Sequence, residues 1–231
     1  MSEPISTKVN SQVSAEGSFL KATKDYYNNN IQMFDTYPFA KERGARTALA
    51  ITKAVELDKD STTVLEFGCG NGIVCKELYP HVKSILGVDI SDAAVKWFNE
   101  TFEEAGLSDR VKAITTNLEA DQSVLGTQKF ELIFSASVYH HLDSPSSVTN
   151  LLATFLKPKG TLITVANYLE NGADAKARIP DSHKHVLSHY GFTEQDMKAM
   201  YEDAGLKFES YARVPEHEGD NELFIAKGVK E

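Results

Sequence analysis

The sequence predicts an α/β fold: a seven-stranded, mostly parallel sheet with helices on both faces and a terminal antiparallel strand. Three observations carry this expectation. From about residue 63 onward, short apolar and β-branched runs alternate with amphipathic stretches of helical period, the pattern of strands joined by crossover helices. The first of these runs, TVLEF, leads into a glycine-rich turn, EFGCGNG. The C-terminal quarter holds two strand-like runs around the turn-forming PEHEGDN, a hairpin signal that supplies the antiparallel strand.

Residues 1–17 are polar and Ser-rich and read as a flexible tail. Residues 18–57 read as a helical extension, or lid, of two helices. The second of them, AKERGARTALAITKAVEL, is expected to bury a stripe through Ala45, Leu49, Thr52 and Val55. Residues 58–231 form the main domain, with strands expected at 63–67, 84–89, 111–117, 130–137 and 160–168. A helix is expected straight after the glycine turn, from about Ile73. The helix DAAVKWFNETFEEAG places Val95, Phe98 and Phe102 on one stripe and stops at Gly106; Ser91 is its cap, and Trp97 reads as buried packing. The stretch SPSSVTNLLATFLKPKG opens with the cap and first-turn pair Ser144-Pro145 and stops before Pro158 and Gly160. Thr193 with Asp196 three residues on forms a capping box ahead of a last helix, and KFESYARV and NELFIAKGV are the final strands.

Composition narrows the function. The 231-residue chain carries a formal net charge of −9, unsuited to non-specific binding of nucleic acid or anionic membrane. The start lacks the apolar core of a signal peptide, and no apolar run reaches the length of a membrane span. Cys69 and Cys75 are too few for a disulfide framework, which points to a reducing, cytoplasmic setting. His183, His185 and His189 cluster without Cys or acid at ligand spacing, so no metal is expected.

The turn after the first strand raises the functional question. In an open α/β sheet, ligands bind beyond the carboxyl ends of the strands, where this turn lies. Glycine permits positive φ and close approach of the backbone to a ligand. A dinucleotide site wants G-x-G-x-x-G, but here the third glycine comes one residue early, at Gly72, and Ile73 takes the reserved position. Glu66 would repel a pyrophosphate and suits an amine or a cation. Asp89, at the end of the second strand, can accept hydrogen bonds from a ribose diol. A ribose, no phosphates and a positive group near Glu66 together describe S-adenosylmethionine (AdoMet).

The motifs VLEFGCGNG, ILGVDIS, ITTNLEA and FELIFSASVYHHL, followed by LLATFLKPKGTLIT, resemble in order and spacing those of the class I AdoMet-dependent methyltransferases, which share a Rossmann-like sheet. Within that family the chain is most similar to the ubiquinone-biosynthesis-like and small-molecule group. The resemblance implies a backbone path through Gly68, Cys69, Gly70 and Gly72 beneath the methionine portion of the cofactor. It implies that Glu66 orders water or the ammonium, Asp89 holds the ribose hydroxyls, and Ile90 packs on the adenine. Asn117, where the family often has Asp, and Leu118 would border the adenine edge, and Ser135 would offer its backbone to the amino group.

Tyr139, His140 and His141, just past the fourth strand, lie where methyl donor and acceptor should meet. One of them is a candidate general base or orienting group; the alternative is that they shape the pocket, since sulfonium methyl transfer needs mainly alignment and desolvation. Tyr26 and Tyr27 in the helical extension, and His189 after the fifth strand, are candidate pocket-wall residues. The fourth motif is not the D/N-P-P-Y type of base-modifying enzymes, which leaves small-molecule acceptors foremost. A protein acceptor with the same cofactor site, a nicotinamide dehydrogenase and a non-catalytic binding protein are the rival readings.

Overall fold

The computed structural model describes residues 20–32, 39–168, 184–214 and 222–231. The tail 1–17, His183 and the PEHEGDN turn up to Asp220 and Asn221 lie wholly or largely outside them. The elements run in chain order as α1 (20–32), α2 (Ala40–Ala54), β1 (Thr63–Phe67), α3 (Cys75–Leu78), β2 (Ser84–Asp89), α4 (Asp92–Glu104) and β3 (Val111–Thr115). Then come β4 (Phe130–Ala136), α5 (Pro145–Thr154), β5 (Leu156–Asn167), α6 (Glu194–Asp203), β6 (Leu206–Val214) and β7 (Leu223–Lys230).

All seven strands join one sheet in the order β3-β2-β1-β4-β5-β7-β6. The pairs β1–β2, β1–β4, β2–β3 and β4–β5 are parallel, and β7 runs antiparallel to both β5 and β6. The expected fold is therefore present, with β7 inserted between β5 and β6 rather than added at the edge. Strand order reverses at β1, which has β2 on one side and β4 on the other, so the crevice of an open α/β sheet falls at the carboxyl ends of β1 and β4.

Each face of the sheet is covered by its own apolar cluster. On one, Ala48 and Ile51 of α2, Cys75 and Leu78 of α3 and Val95, Phe98 and Phe102 of α4 pack over Val64, Ile85 and Phe134. On the other, Val148, Leu151 and Leu152 of α5 and Met197, Met200 and Tyr201 of α6 pack over Leu65, Ile133 and Leu162. The three caps behave as the sequence indicates. Ser91 Oγ accepts from the Ala94 N–H, Ser144 from Ser147, and Thr193 with Asp196 forms a reciprocal capping box.

Four local expectations fail for physical reasons. The helix after the glycine turn is a single α-turn, Cys75–Leu78, continued by a 3-10 turn over Tyr79–His81, because Pro80 cannot extend an α-helix. The buried face of α2 is Gly44, Thr47, Ala48 and Ile51, and Leu49 stays exposed. A Cβ on Gly44 would lie 2.9 Å from Ile73 Cγ1, so the helix is rotated to bring its glycine against the turn. The strand β5 begins at Leu156, ahead of Pro158 and Gly160; Lys159 takes φ 63° and the register against β4 jumps between Phe130 and Leu132, a bulge that accommodates the proline. Trp97 is half-buried beside α1 instead of in the core.

Candidate active site

The glycine turn leaves β1 under the end of β2: the N–H groups of Gly68 and Cys69 both donate to the Val88 carbonyl, at 2.8 and 3.1 Å. Gly68, Gly70 and Gly72 all have positive φ, at 74°, 51° and 76°. Their surroundings differ. A Cβ on Gly68 would lie 2.3 Å from Val138 Cγ2, and one on Gly72 would strike the rings of Phe98 and Phe102 at 2.8–2.9 Å. A Cβ on Gly70 meets nothing within 4 Å. Two of the three glycines thus admit neighbouring protein, and Gly70 alone faces open space.

Asp89 ties this opening to the next loop. Its Oδ2 accepts from the Gly70 N–H at 2.9 Å and its Oδ1 from the Ser91 N–H at 2.8 Å. Burial pushes its carboxyl above the usual range, and the N–H groups of Ser91, Gly70 and Ile90 oppose that rise. Each carboxylate oxygen keeps a second lone pair for a ligand hydroxyl. Ile90 beside it is half-buried.

Glu66, near the end of β1, faces inward. Its side chain is buried, its Oε2 accepts from Cys75 Sγ at 2.6 Å, and it lies on the α2–α4 side of the sheet. Burial raises its carboxyl to about 8, with Asp89 adding to the rise and the Cys75 bond opposing it, so it is protonated at neutral pH. The observed contact joins the turn to α3. Cys69 is also inward-facing: Gly87 lacks a Cβ, which would lie 2.7 Å from Cys69 Sγ. Both thiols are free and buried, and burial raises both well above the ordinary thiol range.

Asn117 follows β3, with Oδ1 accepting from the Glu119 N–H at 3.1 Å and its carbonyl accepting from Ala120 and Asp121. The Leu118 side chain is buried and packs in the core. Ser135, near the end of β4, is fully buried, and its Oγ has no hydrogen-bond partner.

Past β4, Ser137 takes φ 59°, a conformation uncommon for a non-glycine residue that cannot be read from sequence. It turns the chain into a 3-10 turn, Tyr139–His141. Tyr139 is 0% exposed, with its hydroxyl 3.0 Å from Thr149 Oγ1 and its ring edge-on to Phe192. Its side chain thus belongs to the core cluster on the α5–α6 side of the sheet.

The two histidines divide. His141 Nδ1 lies 2.5 Å from the Val186 carbonyl and so donates to it, which leaves Nε2 to accept from the Tyr27 hydroxyl, also at 2.5 Å. His140 instead has a buried Nδ1 with no partner. Burial, then the neighbouring His141, Arg43 and His189, hold its imidazole well below the usual range, so it is neutral. The His140 carbonyl accepts from the Ser188 and His189 N–H groups, which brings His189 alongside. His189 Nε2 is likewise buried without a partner.

Helix α1 spans this edge of the sheet. At one side Asn28 Oδ1 accepts from Ser91 Oγ at 2.7 Å and the Ala93 N–H at 3.1 Å, and Lys24 pairs with Asp92 at 2.9 Å. At the other side Tyr27 reaches His141, and Tyr26 meets Tyr27 and His185 edge-on, at ring-centroid distances of 5.4 and 5.6 Å. Burial, then the charge of Asp89, raises the Tyr27 hydroxyl above the ordinary phenol range, so it stays protonated. Sequence reasoning missed Asn28, Arg43, Asn167 and Val186 as parts of this edge. Arg43 and Asn167, 3.4 Å apart, lie far apart in the chain and carry no local motif.

Among known proteins, the methyltransferase-domain family matches residues 39–211. The chain belongs to this family. A protein of Schizosaccharomyces pombe, named an uncharacterized methyltransferase, is 33% identical over 156 residues, 64% of this chain and 54% of that protein. A ubiquinone biosynthesis O-methyltransferase of Stutzerimonas stutzeri is 26% identical over 97 residues, 42% of this chain and 40% of that one. The chain thus spans about half the length of the curated relatives it matches. In fold, it is similar to geranyl diphosphate C-methyltransferase of Streptomyces coelicolor, with a TM-score of 0.71 at 12% identity over 92% of this chain and 98% of that one. The class I methyltransferase resemblance of the motifs and the expected sheet are both borne out.

Family and fold support AdoMet as the cofactor, and the residues fit it. The space beside Gly70 is one that a Cβ would fill, and Asp89 offers free lone pairs next to it. Among the described residues no group of three or more His, Cys, Asp or Glu is arranged to hold a metal, and no helix is long and apolar enough to cross a membrane.

Proposed function

We propose that this protein transfers a methyl group from AdoMet to a small-molecule acceptor. The carrying observation is the opening at Gly70, joined by its N–H to the Asp89 carboxylate. In this reading Asp89 holds the ribose hydroxyls and Ile90 packs on the adenine. Asn117 and the Leu118 backbone border the adenine edge, and the backbone of Gly68 to Gly72 and of Ser135 lies along the methionine part. The cofactor supplies an activated methyl group on a positively charged sulfur. The protein supplies alignment and exclusion of water.

The arrangement of α1 favours a small acceptor over a protein side chain. It is anchored on both sides of the edge, through Asn28 to α4 and through Tyr27 to His141, and so acts as a lid. His141 is a positioning residue here, because both its ring nitrogens are engaged. His140, neutral and with Nδ1 unpaired, is the histidine left to contact the acceptor. Two free buried thiols fit a reducing cytosolic setting.

The test is calorimetric titration with S-adenosylhomocysteine (AdoHcy), with NAD alongside, followed by an acceptor screen with labelled AdoMet on small molecules and on proteins. AdoHcy should bind and NAD should not, and label should enter the small-molecule fraction. Asp89→Ala should weaken AdoHcy at least about tenfold, near 1.4 kcal/mol, while leaving the fold intact. NAD binding alone would refute the methyltransferase reading, and label appearing only in protein would refute the small acceptor.

A further inference from the structure

The chain past β4 is held in an unusual shape. Ser137 takes φ 59°, a strained conformation for a residue with a Cβ, and leads into the turn Tyr139–His141. The segment 186–189 is clamped onto that turn. The Ser188 and His189 N–H groups donate to the His140 carbonyl at 2.9 and 3.2 Å, and Ser188 Oγ donates to the His140 and Leu142 carbonyls at 3.1 and 2.5 Å. His141 Nδ1 adds a bond to the Val186 carbonyl.

This clamp brings together two imidazoles with idle nitrogens. His140 Nδ1 and His189 Nε2 are both buried, and neither has a hydrogen-bond partner. The two rings lie close enough to interact electrostatically. Each residue keeps part of its surface exposed, while Tyr139 and Phe192 beside them are buried, so the pair borders the crevice and not the core. Buried polar atoms cost free energy unless they find partners, and folded proteins retain few without one.

The identity of that partner follows from hydrogen-bond arithmetic. A ring nitrogen donates when it carries hydrogen and accepts when it is bare. An ether or carbonyl oxygen only accepts, and an ammonium only donates. A hydroxyl donates one bond and accepts two, so a single oxygen serves the pair in every combination except two bare nitrogens. The match holds whichever tautomer each ring takes.

We propose that His140 and His189 form a hydroxyl subsite, so that the acceptor is an alcohol or phenol held through its O–H group. The inference deepens the methyltransferase reading and rests on it for the claim that the bound hydroxyl is the methyl acceptor. The subsite itself stands on the two side chains. Methylation of the bound oxygen removes its donor, and a methyl ether no longer satisfies a mixed pair of nitrogens. Product is thereby held less tightly than substrate.

The test is calorimetry of the full chain with 4-methylphenol, 2-naphthol and octan-1-ol, each against its methyl ether, with and without AdoHcy. In a merely apolar pocket the more hydrophobic ether binds at least as tightly as the hydroxyl compound. Here at least one hydroxyl compound should bind about tenfold or more tightly than its ether, the equivalent of about 1.4 kcal/mol. His189→Phe should erase that preference, and His189→Gln, whose amide can donate or accept near the position of Nε2, should restore part of it. AdoHcy affinity in both variants should stay within about twofold of the unsubstituted protein. Should His189→Phe fail to fold, the comparison on the unsubstituted chain and on His189→Gln decides alone. Equal binding of hydroxyl compound and ether, tighter binding of the ether, or binding of neither overturns the subsite. A preference that survives in His189→Phe overturns it too. Failure of AdoHcy to bind while hydroxyl compounds still bind over ethers overturns the methyltransferase reading and leaves the hydroxyl subsite standing.

Discussion

Replacing Gly70 by alanine separates the ligand role of the turn from its packing role. Gly70 has φ 51°, so an alanine there sits in the left-handed region at a cost of about 1–2 kcal/mol. No clash adds to this, since the new Cβ meets nothing within 4 Å. In a chain of this size each kcal/mol lowers Tm by about 2–4 °C, so the cofactor-free variant should melt about 2–8 °C below the unsubstituted protein. Its AdoHcy affinity should fall more steeply, by at least about tenfold, because the methyl group enters the space assigned to the methionine part. Gly68→Ala is the comparator. It carries the same backbone cost, and its Cβ would lie 2.3 Å from Val138 Cγ2, an overlap worth about 1–3 kcal/mol more. Scanning fluorimetry without ligand and calorimetry with AdoHcy read the two effects separately. If Gly70→Ala melts as low as Gly68→Ala, the space beside Gly70 is filled by protein. If it binds AdoHcy as the unsubstituted chain does, the turn does not face the cofactor.

Glu66 predicts a pH dependence. Its folded-state carboxyl is raised to about 8 from an ordinary value of 4.5, so its contribution to stability is full below pH 4.5 and lost as pH rises through 8. The Tm of the cofactor-free protein should fall across that window, and Glu66→Gln should flatten the fall; an unchanged slope in the variant would reject the buried neutral acid. Tyr139→Phe should cost about 0.5–1.5 kcal/mol, the loss of one hydroxyl contact, and leave turnover intact. A collapse in turnover with the fold preserved would return Tyr139 to the chemistry. Tyr27→Phe removes the donor to His141 Nε2 and should raise hydrogen exchange across residues 20–32, while lowering kcat/KM; unchanged protection would mean that the Tyr27–His141 bond does not hold α1 in place.

Strand periodicity made most of the sheet legible. Strands β1 and β2 fall where their apolar runs place them, and the caps at Ser91, Ser144 and Thr193 form as read. The misreadings share a cause, which is tertiary contact overriding local pattern. Leu49 belongs to the more apolar stripe of α2 by sequence, yet Gly44 faces inward because only a glycine can lie against Ile73. Pro158 reads as a terminator, yet a bulge with Lys159 at positive φ carries β5 past it. The site was legible where it is local in sequence, at Gly70 and Asp89. It was illegible where it depends on elements meeting across the fold, as at Arg43 with Asn167 or His141 with Val186.

The three glycines on alternate positions, with an acid ahead of them, look like one ligand motif, but their environments assign them different work. Gly68 admits Val138, the residue that leads into the histidine turn, and Gly72 admits the rings of α4. Glu66 is bonded to Cys75 and ties the turn to the helix behind it. Only Gly70, bonded to Asp89, is left for a ligand. Most of the motif therefore records how β1, β4 and α4 are brought close enough to make a site, which is why it marks the fold family so well and the reaction so poorly. What distinguishes this chain's chemistry must come from residues outside the motif that the same close packing delivers to the edge: Tyr27 and Asn28 from α1, Arg43 from α2, and the two histidines with unpaired nitrogens. Substitutions in the motif should accordingly register in cofactor affinity and in Tm, in proportions set by each residue's surroundings, whereas those at edge residues such as Tyr27 should register in kcat/KM.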